Sequence, residues 1–143
     1  MANSSDAAKV RRAAERRMFV PLLSKPVIDE YRAVLTDEEI LDKFPQITRD
    51  LVEITIRRLR FIGEYLRTPV ARFQYRRDPD DQKFIELAID LQATHILSFD
   101  QDLLSLPGSR GEAGRRFRQR LPGVEVLDAR AFLRQHGAEL GIE

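Results

Sequence analysis

The stretch that decides the fold is Asp78-Pro-Asp-Asp-Gln-Lys-Phe-Ile-Glu-Leu-Ala-Ile-Asp-Leu-Gln-Ala-Thr-His-Ile-Leu-Ser-Phe-Asp-Gln-Asp-Leu-Leu104. It reads as an acidic turn, an amphipathic helix, a short apolar strand and a second acidic turn, so two carboxylate clusters bracket one helix-strand unit. The helix opens at Asp81 and turns Phe84, Leu87, Ala88 and Leu91 to one face. The strand is His95 to Ser98. Ligands of an α/β fold collect beyond the carboxyl ends of its strands, which is where Asp100 and Asp102 fall. Asp81 shares that crevice if the turn before its helix lies at the same sheet edge. Anionic oxygens converging from separate segments are what a hard divalent cation needs.

Taken alone, Asp78, Asp80 and Asp81 are ordinary turn and helix-cap chemistry. A calcium loop of the EF-hand kind is excluded, because the sixth position from Asp78 is Lys83 instead of glycine and the twelfth is Ile89 instead of glutamate. The metal reading gains from the second cluster at this spacing, from the polar Ser98 leading into it, and from Glu30 on an earlier helix.

Working toward the N-terminus, Val70 to Tyr75 alternates as a strand does. Thr48 is a good cap for a helix over Arg49 to Leu66, with Val52, Thr55, Leu59, Ile62 and Leu66 at helical spacing. Thr36 to Phe44 is a short helical piece ended by Pro45. Ser24 caps a helix that has Pro26 in its first turn and Val27, Tyr31, Val34 and Leu35 as its buried face, with Glu30 at the margin of that stripe. Met18 to Leu23 is a short strand. Ser4, Ser5 and Asp6 are caps for a helix over Ala7 to Arg17.

Toward the C-terminus, Pro107 to Arg120 carries three glycines and five arginines and reads as a mobile basic loop with a helical turn around Ala113 to Arg120. Arg115, Arg116, Arg118 and Arg120 would form a basic rim guiding RNA backbone toward the acidic crevice. Gly123 to Leu127 is a final strand and Ala129 to Gln135 a final helix. Helices alternating with short apolar strands argue for a parallel sheet covered on both faces.

The 143 residues make one domain, 1–143, and 24 Lys+Arg against 23 Asp+Glu exclude a nucleic-acid coat built on bulk charge. All the basic residues except Lys9, Lys25, Lys43 and Lys83 are arginine, which suits phosphate but reflects a GC-rich genome more often than RNA binding. The absence of cysteine excludes disulfides, thiolate nucleophiles and Cys-type zinc sites. Of the two histidines, His95 reads as a packed or edge strand residue and His136 as a solvated helix-end residue. No apolar run approaches the roughly 18 residues of a membrane span, and the N-terminus has no signal-peptide core, so the chain reads as a soluble cytoplasmic protein without membrane contact.

The two acidic segments, Asp78-Pro-Asp-Asp-Gln-Lys-Phe-Ile-Glu-Leu-Ala and Ala93-Thr-His-Ile-Leu-Ser-Phe-Asp-Gln-Asp-Leu-Leu, resemble the second half of a PIN domain of the VapC-like toxin branch. The likeness extends through Phe19 to Leu35 and Val124 to Leu133. It implies an α/β/α sandwich and an Mg²⁺- or Mn²⁺-dependent endoribonuclease of toxin-antitoxin type. By position, Glu30 matches the helical glutamate of that family's cluster, Asp81 the aspartate opening the long helix and Asp100 the aspartate after the fourth strand, with Asp102 as an auxiliary acid. Ser98 stands where the family has Thr or Ser, and Gln82 replaces the branch's usual Asn. Ser98, Gln82, Arg115 and Arg116 are the expected substrate contacts. RNA is the implied substrate, and an antitoxin and a homodimer are the implied protein partners.

One departure is large. PIN domains begin with a central strand ending in aspartate, and no such strand precedes Ala7, so the expectation is a sheet without its first central strand and a cluster short of one carboxylate. Either the true start codon lies upstream or the protein is a natural truncation, the former being preferred. Two other readings stand beside the nuclease: a degenerate PIN scaffold that binds RNA or an antitoxin without cleaving, and a plain interaction domain.

Overall fold

The computed structural model describes residues 4–142. Several of its helices start where a hydroxyl or carboxylate side chain accepts a free N–H group of the first turn. Ser24 Oγ accepts from Val27 N at the head of α2 (Lys25–Leu35), and the Asp37 side chain accepts from Glu39 N at α3 (Glu38–Lys43). The Thr48 side chain accepts from Leu51 N at α4 (Arg49–Ile62). These follow α1 (Ser4–Glu15) and the strand β1 (Leu22–Ser24). Then come β2 (Glu64–Leu66), α5 (Gln82–Asp90), β3 (His95–Leu97), α6 (Gln101–Ser105), α7 (Glu112–Arg120), β4 (Glu125–Leu127) and α8 (Ala129–Leu140).

All strand pairing is parallel. Leu22, Leu23 and Ser24 pair with Glu64, Tyr65 and Leu66, while His95, Ile96 and Leu97 pair with Glu125, Val126 and Leu127. The strands form two separate pairs, β1-β2 and β3-β4, and no strand among the described residues joins them. Helices make the connection: α5 packs against both β1 and β3, and α1 packs against both α4 and α8. The result is a mixed α/β fold consistent with the PIN-like α/β/α arrangement.

Each strand pair has its own apolar cluster. Ile85, Leu103, Leu106 and Phe117 are at most 2% exposed beneath β3-β4, and Leu23, Ile28, Val52 and Ile56 pack beneath β1-β2. Ile85, fully buried, replaces Leu91 as the centre of the α5 face. On α2 the buried residues are Val27 and Ile28, whereas Tyr31, Val34 and Leu35 remain substantially exposed.

Several expected boundaries shift. The helix predicted to reach Leu66 stops at Ile62, because Gly63 lies against Pro21: a Cβ there would meet Pro21 O at 2.2 Å. Residues 64–66 become β2 instead. The first strand begins at Leu22, after Arg17 with φ 62° ends the turn that follows α1. The basic segment expected to be a loop is structured, with a 3₁₀ turn over Leu106–Gly108 followed by α7. Gly114 permits that packing, since its Cβ would fall 2.2 Å from Ser109 O. The final helix runs to Leu140 and closes on Gly141 in the left-handed conformation, φ 77°.

Val70 to Tyr75 is not a strand. It is extended chain whose N–H groups are taken by one face of α5: Asp90 accepts from Val70 N and Ala71 N, Glu86 from Phe73 N, and Gln82 from Tyr75 N. Positions 82, 86 and 90 are successive turns of a helix, so a ladder of side-chain acceptors stands where a neighbouring strand would. The alternation seen in the sequence is real. It buries Phe73 and Tyr75, but against a helix.

Candidate metal centre

The acidic centre is assembled by two turns. Asp78 precedes a 3₁₀ turn over Pro79–Asp81, closed by Asp81 N donating to Asp78 O at 3.1 Å. Proline suits the first position of such a turn, and a 3₁₀ repeat of three residues places Asp78 and Asp81 on the same side. The second turn follows β3. Ser98 N donates to Leu127 O, Ser98 Oγ accepts from Asp100 N at 3.0 Å, and Asp100 Oδ1 accepts from Asp102 N at 2.8 Å. Asp100 is thereby held as the cap of α6.

Carboxylate oxygens of Asp78, Asp81 and Asp100 lie within 4.8 Å of one another. Asp81 is 5% exposed, and its Oδ2 is buried with no hydrogen-bond partner. Burial, and then the charges of Asp100 and Asp78, push its carboxyl up to about 7. The Asp78 carboxyl is raised as well, chiefly by its hydrogen bond with Asp100. Three carboxylates this close cannot all be ionised without a counter-charge. Three converging carboxylates, one of which carries a buried oxygen without a partner, are the donor set a hard divalent cation takes, so the residues present fit such an ion.

The structure brings together Asp81 and Asp100 of the expected set and adds Asp78, which the sequence treated as turn chemistry. The signal for Asp78 was its i, i+3 relation to Asp81 across a proline. Glu30 lies outside the group: its Oε1 accepts from Lys83 Nζ at 2.6 Å. Asp102 is adjacent, its Oδ1 paired with Arg77 Nε at 2.8 Å, and its charge is among those raising Asp81. Ser98 and Gln82 are engaged within the chain, Ser98 in the Asp100 turn and Gln82 on Tyr75 N. Tyr75 Oη in turn donates to Asp102 O at 2.8 Å.

The arginines of α7 divide. Arg116 donates to Gln74 O and lies over the Phe73 ring, Arg118 donates to Pro107 O and Ser109 O, and Arg120 donates to Arg72 O. These three bind carbonyls of neighbouring segments, while Arg115 is exposed. Phe99, between Ser98 and Asp100, is 59% exposed and was not singled out in the sequence.

A family model described as PIN domain matches residues 1–102, and the chain belongs to the PIN domain family. The matched span contains Glu30, all three clustered aspartates and Asp102. PIN domains are generally nucleases dependent on a divalent metal. No curated protein and no solved structure gives a significant match. Among the described residues no helix is long and apolar enough to cross a membrane.

Proposed function

We propose that this chain is an Mg²⁺- or Mn²⁺-dependent endoribonuclease of the toxin-antitoxin type. The observation that carries the reading is the convergence of the Asp78, Asp81 and Asp100 carboxylates, with a buried, unpartnered oxygen on Asp81. Asp78, Asp81 and Asp100 would hold the ion. A divalent cation there supplies polarisation of the phosphate, a bound water of lowered pKa and charge neutralisation in the in-line transition state. Around it, the chain fixes the ligands: Ser98 and the Asp102 N–H orient Asp100, and Gln82 anchors the segment leading into the Asp78 turn through Tyr75. The exposed ring of Phe99 offers a face on which an RNA base can stack beside the scissile phosphate.

A second reading, a non-catalytic scaffold binding RNA or an antitoxin, is favoured by one observation. Glu30 is neutralised by Lys83 instead of joining the cluster, which leaves the centre one carboxylate poorer. RNA cleavage separates the two. Incubating structured and single-stranded RNA with the chain in Mn²⁺, in Mg²⁺ and in EDTA should give metal-dependent fragments that D81N does not produce. RNA binding without fragments under any of these conditions would favour the scaffold.

A further inference from the structure

At the opposite end of β3 from the acidic centre, His95, Glu125 and His136 form a second convergence of ligand atoms. His95 Nε2 lies 3.1 Å from His136 Nε2, and Glu125 Oε1 lies 3.2 Å from the first and 3.4 Å from the second. His136 is therefore not a solvated helix-end residue. It sits within α8, half-buried, against two side chains from the β3-β4 pair.

The outer ring nitrogens are occupied. His95 Nδ1 is 2.8 Å from Thr94 Oγ1, and His136 Nδ1 is within ion-pair reach of Glu139 Oε2 at 3.7 Å. With the ring hydrogens on these outer nitrogens, toward the Thr94 hydroxyl and the Glu139 carboxylate, both Nε2 atoms are free to act as ligands. In that tautomer both Nε2 atoms present lone pairs beside a carboxylate oxygen, which is the donor set of a cation site. Acceptors on the outer nitrogens are also the usual way in which ligating imidazoles are oriented. Buried Phe132 fixes the rings further, edge-on to His95 at 5.7 Å and tilted against His136 at 5.4 Å.

The triangle has the dimensions of a coordination site. In a tetrahedron with metal-ligand bonds of 2.0 to 2.1 Å, neighbouring ligand atoms are about 3.3 Å apart, against the 3.1, 3.2 and 3.4 Å found here. Two imidazoles with one carboxylate are a borderline-soft donor set, unlike the all-oxygen acidic centre. We infer that His95, Glu125 and His136 bind one Zn²⁺, with a fourth position open to solvent, and that the ion staples α8 to the β3-β4 pair. Glu125 is 45% exposed, which leaves the ion a route in.

The test is calorimetric titration with Zn²⁺ of a D78N/D81N/D100N chain, in which the acidic centre cannot contribute. Co²⁺ absorption serves as a second probe of geometry. One equivalent should bind, with a tetrahedral Co²⁺ spectrum and a raised Tm. H136A and E125Q should lose both signals while keeping the circular dichroism of the parent chain, and E139A should weaken binding roughly tenfold through loss of the outer acceptor. Absence of binding to the parent chain, or equal binding by H136A and E125Q, would overturn the proposal and leave the two histidines as polar packing partners of Glu125. The outcome is independent of whether the acidic centre cleaves RNA.

Discussion

Gln82 Oε1 accepts the backbone N–H of Tyr75 at 2.8 Å, so the residue next to buried Asp81 also anchors the chain that leads into the acidic turn. Glu86 and Asp90 extend the same ladder along α5. Removing a rung leaves an N–H without its partner, at a cost of about 1–3 kcal/mol. Q82A should therefore lower stability by that amount in urea unfolding and reduce RNA cleavage. Q82E, which keeps the acceptor, should retain most of the stability.

The raised Asp81 carboxyl makes stability pH-dependent. The ordinary value is 3.8 and the folded value about 7. Below about pH 4 both folded and unfolded chains are protonated there, and the group has no effect. As pH rises from about 4 to about 7 the unfolded chain ionises first, and stability is lost until the folded carboxyl also ionises. The loss is on the order of 4 kcal/mol. Denaturation in EDTA should show D81N more stable than the parent at pH 8 and equal to it near pH 4, and Mg²⁺ should erase the difference by stabilising the parent.

The carboxylates of Asp81 and Asp100 stood out through the pairing of two acidic segments and their resemblance to the PIN family, since the local rule that each follows, a helix start and a cap after a strand, describes many ordinary residues. The caps Ser24 and Thr48 are local in the same sense. What sequence spacing could not show were pairings between distant residues. Lys83 capturing Glu30 spans 53 positions, and His136 meeting His95 spans 41. Val70 to Tyr75 carried a strand's alternation but found helix side chains as its partner, and a period of two does not say what accepts the N–H groups. Three arginines read as an RNA rim serve neighbouring carbonyls, a role invisible until α7 is placed.

Gly63 marks a boundary set by close packing. Its Cβ would meet Pro21 O at 2.2 Å and Pro21 Cγ at 2.8 Å, both at the start of the β1-β2 pair. G63A should cost about 1–3 kcal/mol, the usual range for overpacking, measured as a lowered urea midpoint with an unchanged slope.

Phe99 tests the substrate side. F99A removes a ring that is 59% exposed, so stability should change little. RNA affinity should fall by about 1–3 kcal/mol, roughly 5- to 150-fold, if a base stacks there. Binding measured by fluorescence anisotropy checks this, and unchanged affinity would remove Phe99 from the RNA path.

The central claim is that Asp78, Asp81 and Asp100 together hold a divalent cation, and Mn²⁺ binding followed by water-proton relaxation tests it most directly. The chain should carry H136A so that only the acidic centre reports. Saturable binding of Mn²⁺ that is displaced by Mg²⁺, and that D81N and D100N each abolish while E30Q leaves it largely intact, is the result this structure predicts. Equal Mn²⁺ binding by the parent, D81N and D100N chains, or none by the parent, would contradict it.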